Sequence, residues 1–484
     1  MTQALTHRLP HGLTHRQRWL ALMVVCLGVL MIVLDVTIVN VALPSIKADL
    51  GITETSLVWV VNAYMLTFGG FLLLGGRLGD LFGHRRLFLI GIFAFTVASV
   101  VCGLATSQAW LVGARAVQGL GGAVVDAVAL SLVVNLFTEP AERAKAMGVY
   151  GFVCAGGGSI GVRLGGLLTS SLNWHWIFLV NLPIGVAVYW LTLRVLPKNG
   201  TNVGTNADAT PSPARLDFAG AITVTAALML AVYAVVNGNE AGWASVQTLA
   251  LLAGALVLMA IFITIEARVS NPLVPLRLFR VRNVATANVV GALWAASMFA
   301  WMFISALYLQ LVLGYSPMQV GLAFLPTNII MAVFSLGLSA NLVLRFGIKP
   351  PLAAGLLIAA VGLALFARAP VNGGFWWDVL PGMLLLGLGA GIAFNPVLLA
   401  AMNDVAPYES GLASGIVNTS FMMGGALGLA VLASLAAART DALAAAGLSA
   451  QAALNGGYQW AFIAGAVFAA VAAVLATFLL DSDR

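Results

Sequence analysis

Along this chain the apolar residues arrive in blocks. Runs of about 20 of them recur from end to end, each long enough to cross a bilayer as a helix. Fourteen blocks are read, at approximately 19–43, 56–76, 87–106, 109–136, 144–170, 174–195, 216–236, 246–266, 284–313, 318–342, 351–368, 377–402, 410–437 and 458–480. They do not alternate polar with apolar, and they are too long for barrel strands. The predicted fold class is an all-α membrane protein, in which each helix satisfies its own backbone polar groups.

The blocks repeat on a larger scale. The stretch "AERAKAMGVYGFVCAGGGSIG" (141–161) aligns with "YESGLASGIVNTSFMMGGALG" (408–428), placing Gly148, Gly157, Gly158 and Gly161 on Gly415, Gly424, Gly425 and Gly428. "GLGGA" near Gly121 has its echo in "GLGAG" near Gly389. Two six-helix bundles of the same orientation are therefore expected at 19–195 and 284–480, with an inserted helix pair at 216–268. A tail (1–18), a Gly/Asn/Thr/Pro-rich linker (196–215), a basic amphipathic linker (269–283) laid along the membrane surface and a polar end (481–484) complete the division. Ala438–Gly457 is expected to hold a short helix outside the bundle. Parallel halves related about the membrane normal are one architecture of secondary transporters, with the substrate site between them near the midplane.

Composition agrees: 61% of residues are hydrophobic and 8% charged, where soluble domains carry about 25% charged residues. The net charge of +6 raises the question of nucleic acid, and the position of the cations answers it. With the N-terminus inside, nearly all of the 23 Lys and Arg fall in the tail and the inner loops. Only Lys47, Arg368 and Arg439 lie outside, and Arg115 and Arg163 lie within helices. That asymmetry is the positive-inside rule: both termini are expected in the cytoplasm, and nucleic acid is dropped as a partner. The first block is too long for a cleaved signal. Cys26, Cys102 and Cys154 have no CxxC spacing, and His7, His11 and His15 read as part of a polar tail. No metal and no cofactor are expected. Arg-rich, Lys-poor usage points to a bacterial source, hence its cytoplasmic (inner) membrane.

Two acids lie deep in helices, Asp35 in "MIVLDVTIVNVALP" and Asp126. A carboxylate at that depth needs a partner, water or a proton. Asp35 sits ~12 Å below the outer end of its helix and Arg115 ~9 Å below the outer end of the fourth, so the two can meet at one level. They read either as a proton-coupling pair or as a static ion pair fixing two helices. Asp126, eleven residues after Arg115, returns to nearly the same face ~16 Å lower. It reads as a second proton site, a counter-charge for a cationic substrate, or a structural hydrogen-bond acceptor.

Arg163 turns away from the small-residue face of Gly157, Gly158, Gly161 and Gly165, towards the cavity or the headgroups. In "GGRLGDLFGHRR", Gly76, Gly79 and Gly83 permit a tight turn and close approach. Asp80 there can accept hydrogen bonds from a nearby helix N-terminus or pair with Arg143, either way as a cytoplasmic latch, while Arg85 and Arg86 either join it or only anchor topology. Trp294, Met298 and Trp301 share a face and either line a drug-sized cavity or pack; Tyr64, Gln310, Asn328 and Asn395 are further polar candidates for substrate contact. No HExxH or Walker lysine occurs, so no enzyme is expected.

"LDVTIVNVALP", "GGRLGDLFGHRR", "RAVQGLGGA" and "GGGSIGVRLGG", with "YLQLVLGYSPMQVGLAFLP" and "GLASGIVNTSFMMGGALG", resemble the ordered motifs of the fourteen-helix drug:proton antiporters of the major facilitator superfamily, the EmrB/QacA type. The resemblance covers roughly residues 19–480. It implies proton-driven export of amphipathic compounds by alternating access, that is, multidrug efflux. It carries the helix-1 acid to Asp35, the helix-4 arginine to Arg115, the loop charges to Asp80, Arg85 and Arg86, and the helix-5 antiporter glycines to Gly157, Gly161, Gly165 and Gly166. Val162 stands where that motif often has Pro, and Arg163 and Asp126 stand where apolar or small residues are expected. Protons and small amphipathic molecules, cations among them, are the expected partners, and the chain is expected to act as a monomer. A dedicated exporter of one endogenous metabolite, antibiotic or lipid is the alternative within transport. A membrane-embedded sensor or enzyme is the alternative outside it.

Overall fold

Caps decide where the first helix begins and ends. In the computed structural model, Thr14 caps α1 (His15–Leu50) through a reciprocal box with Gln17, and Gly51 closes it at φ 62°. At 1.5 Å per residue α1 is ~54 Å long, well beyond a ~30 Å hydrocarbon core. The structure describes residues 14–137, 139–196, 217–270, 272–402, 405 and 410–481. After α1 come α2 (Glu54–Phe82), α3 (His84–Gly103), α4 (Gln108–Leu136), α5 (Pro140–Ser171), α6 (Trp176–Val195), α7 (Phe218–Ala241) and α8 (Val246–Arg268). Then follow α9 (Arg282–Val312), α10 (Pro317–Val333, running on through a wide turn to Phe346), α11 (Lys349–Phe366), α12 (Phe375–Met402), α13 (Ser410–Ala445) and α14 (Ala450–Leu479). Among the described residues, twelve are long and apolar enough to span a membrane; α5 and the interrupted α10 bring the range to twelve to fourteen. Among the described residues there is no strand.

In a membrane, lipid is as apolar as Leu, so helices associate by close packing rather than by hiding from water. Here small residues let backbones touch. A Cβ on Gly121 of α4 would stand 2.6 Å from the Phe95 nitrogen of α3, and one on Gly165 of α5 would stand 2.8 Å from the Ile38 oxygen of α1. Gly157 and Gly161 continue the α1–α5 seam beneath Leu30, Val33, Leu34 and Thr37. Gly166 does not belong to that seam. It meets the backbone of Pro317 and Met318 on α10, and Gly321 reciprocates against the Val162 carbonyl.

Other contacts join the first six helices to the last six. Gln310 Nε2 donates to the Val41 carbonyl (3.0 Å), the Tyr458 hydroxyl to Glu54 (3.0 Å) and the Met318 N–H to Ser170 Oγ (3.2 Å), all near the end where α1 stops. Asn62 Nδ2 on α2 reaches the Ala426 carbonyl on α13 (2.9 Å). Helix α7 lies against both α2 and α13: Thr225 fills the notch at Gly70, and Asn239 Nδ2 donates to the Ser434 carbonyl at 2.7 Å.

Several boundaries differ from the sequence reading. α1 runs past Pro44 to Leu50: the proline removes one intrahelical hydrogen bond, and the helix continues beyond it. Ala438–Gly457 is not a separate short helix: α13 continues to Ala445 and α14 begins at Ala450, with Gly447 at φ 88° turning the chain between them. Before α9 the 269–283 connection forms, among the described residues, the 3-10 turn Leu276–Arg280, and Leu278 buries against Val284 and Ile416. The 197–216 stretch of the expected linker, tail residues 1–13 and residues 482–484 lie outside the described residues.

Packing at Gly121 gives a direct test. Gly121→Val should cost about 1–3 kcal/mol by overpacking the α3–α4 seam. It should visibly lower the thermal unfolding midpoint of the purified protein. Gly113→Ala, where a Cβ meets nothing within 4 Å, should leave the midpoint unchanged.

Candidate functional site

Helix rise alone brings Asp35 of α1 level with Arg115 of α4, and the structure places them in contact. Both side chains are fully buried (0% and 1% exposed). Arg115 Nη1 donates to Asp35 Oδ2 at 2.5 Å and to Gln118 Oε1 at 2.7 Å, and Nε donates to the Val60 carbonyl at 2.9 Å. The guanidinium lies 4.4 Å from the centre of the Tyr64 ring and 5.6 Å from that of Phe178. Asp35 Oδ1 accepts from Gln118 Nε2 (2.7 Å) and Asn181 Nδ2 (3.2 Å). Ser99 Oγ closes the circuit, accepting from Gln118 (3.2 Å) and Asn181 (2.8 Å) and donating to the Phe178 carbonyl (2.9 Å). A buried charge is tolerable only when paired and hydrogen-bonded, and here both conditions hold.

Gln118, Ser99 and Asn181 were missed by the sequence reading. Gln118 carried a signal, since three residues on from Arg115 is the same helix face. Ser99 and Asn181 carried none, because neutral polar residues are common in membrane helices. Tyr64, expected at the substrate, lies against the guanidinium of this network: it stacks on Phe68 (5.7 Å), and its hydroxyl is buried without a partner.

Asp126 lies eleven residues further along α4, half-buried, and accepts a hydrogen bond from Tyr150 of α5. No ion pair joins it to Arg163 among the described residues; Arg163 is exposed on α5 beside the Gly321 crossing. Of the other substrate candidates, Trp294 lines a small cavity between α9, α12 and α13 with Phe394, Val397 and Phe421. Trp301 does not share it. It packs edge-on against Phe324 (5.5 Å) and Phe366 (6.2 Å), while Met298 is half-buried between them in sequence. Gln310 is spent on the Val41 carbonyl, Asn395 Nδ2 on the Ser335 carbonyl (2.9 Å), and Asn328 is half-buried on α10.

A buried acid–arginine pair inside a bundle of apolar helices marks a functional site in a membrane protein, and comparison with known proteins gives the family. A profile of the Major Facilitator Superfamily matches residues 25–429. The chain belongs to that superfamily. It is 39% identical to the puromycin resistance protein pur8 of Streptomyces alboniger, over 96% of this chain and 92% of that one. It is 38% identical to the cephamycin export protein CmcT of Amycolatopsis lactamdurans (94% and 91%). To the multidrug resistance protein Stp of Mycobacterium tuberculosis it is 37% identical (88% and 77%). Among solved structures it resembles a bacterial homologue of the human lysosomal transporter Spinster in an inward-facing, unoccupied conformation (TM-score 0.66, 17% identity, 97% and 99% covered). An autoinhibited POT family peptide transporter is similar in fold (TM-score 0.65, 16% identity, 97% of each). This major facilitator is thus a multi-pass membrane protein related to antibiotic and multidrug exporters, and not an enzyme.

The loop motif of this major facilitator is only partly described. Gly83 turns the chain at φ 90° between α2 and α3, as the tight turn requires. Gly76 needs no close approach, for a Cβ there meets nothing within 4 Å; Gly79, against Val128, is the packed one. Arg85 Nη2 donates to the Leu193 carbonyl at the end of α6 (3.2 Å), and Arg86 is exposed. The side chains of Asp80 and Arg143 lie outside the described residues.

Arg115→Met should leave Asp35 as an uncompensated buried charge and cost about 3–5 kcal/mol. Adding Asp35→Asn should restore much of that loss. Thermal unfolding of wild type, both single variants and the double closes the cycle. Additive losses would mean that the pair contributes nothing as a pair.

Proposed function

We propose that this chain is a proton-coupled antiporter exporting amphipathic organic compounds by alternating access. The observation that carries the reading is the Asp35–Arg115 network, a carboxylate buried in a membrane bundle with every acceptor oxygen engaged. Intramembrane ionisable groups of this kind are functional by default. The network also has a spare state. Should Asp35 take a proton on Oδ2, Arg115 still holds Gln118, the Val60 carbonyl and the Tyr64 ring face. Protonation therefore does not strand the guanidinium, and the α1–α4 junction can relax without collapsing.

In this reading the architecture is fourteen spanning helices of the drug:proton antiporter type, two six-helix bundles with α7–α8 inserted and both termini cytoplasmic. The packing of α7 on α2 and α13 supports an insert lying at the seam. The outward-open form loads Asp35 with a proton from outside as substrate leaves. The inward-open form returns it as substrate binds near Asp126, which is half-buried and free of any ion pair among the described residues. Trp294, on its cavity, supplies apolar contact. Exchange of one proton for one monovalent cation draws only on the pH gradient, ~1.4 kcal/mol per unit. Two protons would add the membrane potential, ~2.3 kcal/mol per 100 mV. Relatives named for a single compound, puromycin or cephamycin, favour a second reading: a dedicated exporter of one antibiotic or endogenous metabolite.

Efflux from proteoliposomes under an imposed pH gradient, across cationic, neutral and anionic compounds, tests both readings. Wild type should accumulate cargo against its gradient only when the pH gradient is present. Asp35→Asn should abolish that accumulation while the protein remains folded in the bilayer; full activity in this variant rules out the coupling role. Asp126→Asn should reduce transport of cations about tenfold more than that of neutral compounds if its charge contributes roughly 1.4 kcal/mol to binding them. A single active compound in the panel favours the dedicated exporter.

A further inference from the structure

Two acids that their sequence positions put at helix ends are in fact buried. Asp217 caps α7 and Glu266 lies in the last turn of α8, 5% and 3% exposed. Each carboxyl group spends one oxygen on backbone: the Gly220 N–H donates to Asp217 Oδ1 (2.7 Å) and the Val274 N–H to Glu266 Oε2 (3.1 Å). The other two oxygens, Asp217 Oδ2 and Glu266 Oε1, are buried and have no N–H or O–H donor. They converge over Gly220, where a Cβ would stand 2.6 Å from one and 2.8 Å from the other. Ionised carboxylates only accept, so a bond between two carboxyl groups requires a proton on one of them.

We propose that Asp217 and Glu266 form a proton-binding site that holds one proton between their free oxygens and clips the 272–274 segment onto the α7–α8 pair. The site lies where Leu273 packs with Leu74 of α2 and Ala221 of α7, so the clip fixes the α8–α9 connection against α2. The charged groups around it are otherwise placed. Arg77 of α2 donates to the Pro272 carbonyl (3.2 Å), and Arg268 of α8 and Arg277 and Arg280 of the connection are exposed. Among the described residues Arg77, Arg268 and Arg280 form no ion pair with either acid, and no third acid, His or Cys stands by to complete a metal site. The N–H groups aimed at the outer oxygens suit carboxyls sharing a proton rather than a metal ion.

Loss of the proton leaves two carboxylates facing each other in a poorly solvated place. One must swing to water, and Val274 is released. Proton binding and closure are linked, so the clip is closed at low pH and opens as pH rises. This is a separate site from Asp35 and stands whether or not transport is proton-driven.

Hydrogen–deuterium exchange on the full-length protein in nanodiscs, corrected for intrinsic pH dependence, reads the protection of residues 272–278. In wild type, protection should fall ~10-fold or more between about pH 5.5 and about pH 8.5. Glu266→Gln and Asp217→Asn each replace the shared proton with an amide N–H that stays at every pH. Either variant should keep the segment protected at both ends of the range. The proposal is overturned if wild-type protection is independent of pH, if both variants follow the wild-type fall, or if both lose protection throughout.

Discussion

A charge held out of water must be neutralised in place, and the first six helices are organised around that demand. Asp35 sits where no solvent reaches it, so α4 must bring Arg115 and Gln118 to it, α6 must bring Asn181, and α3 must bring Ser99. Close approach follows from the same requirement. Gly119 lets α4 lie directly on the Tyr64 backbone, and Gly122 clears space for the Tyr64 hydroxyl, so that the ring can cover the guanidinium. A larger residue at either position would lift α4 away from α2 and open the network.

The meeting of Asp35 with Arg115 was legible because helix rise is a fixed length: two residues at equal depth on neighbouring helices can be matched by counting. The class of fold was legible for a similar reason, since a bilayer imposes one length on everything that crosses it. Angle was less informative than depth. A 100° step says which way Arg163 points from its own axis but not what stands there, and Asp126 on α4 found a tyrosine of α5. Gly166 shows the same limit: its neighbours in sequence belong to the α1 seam, while its own bare face meets α10.

Burial at the ends of helices was the least legible property. Asp217 and Glu266 border loops, and loop acids are ordinarily solvated. What encloses them is the 272–274 segment folding back, a tertiary event that no local pattern announces. The partners of the substrate candidates were hard to read for another reason. Polar side chains in apolar helices have few partners to choose from, so Gln310 and Asn395 were consumed by carbonyls of neighbouring helices. The aromatic face of α9 was divided between a cavity at Trp294 and a packed cluster at Trp301.

Helix α7 touches α2 at Gly70 and again where Tyr233 meets Trp59 (6.4 Å), and it touches α13 at Ser434. It therefore lies along the seam between those helices, as a batten covers a join. Any rocking that slides α2 past α13 must either strip the fastening at Ser434, strip those on α2, or carry α7 along with one partner.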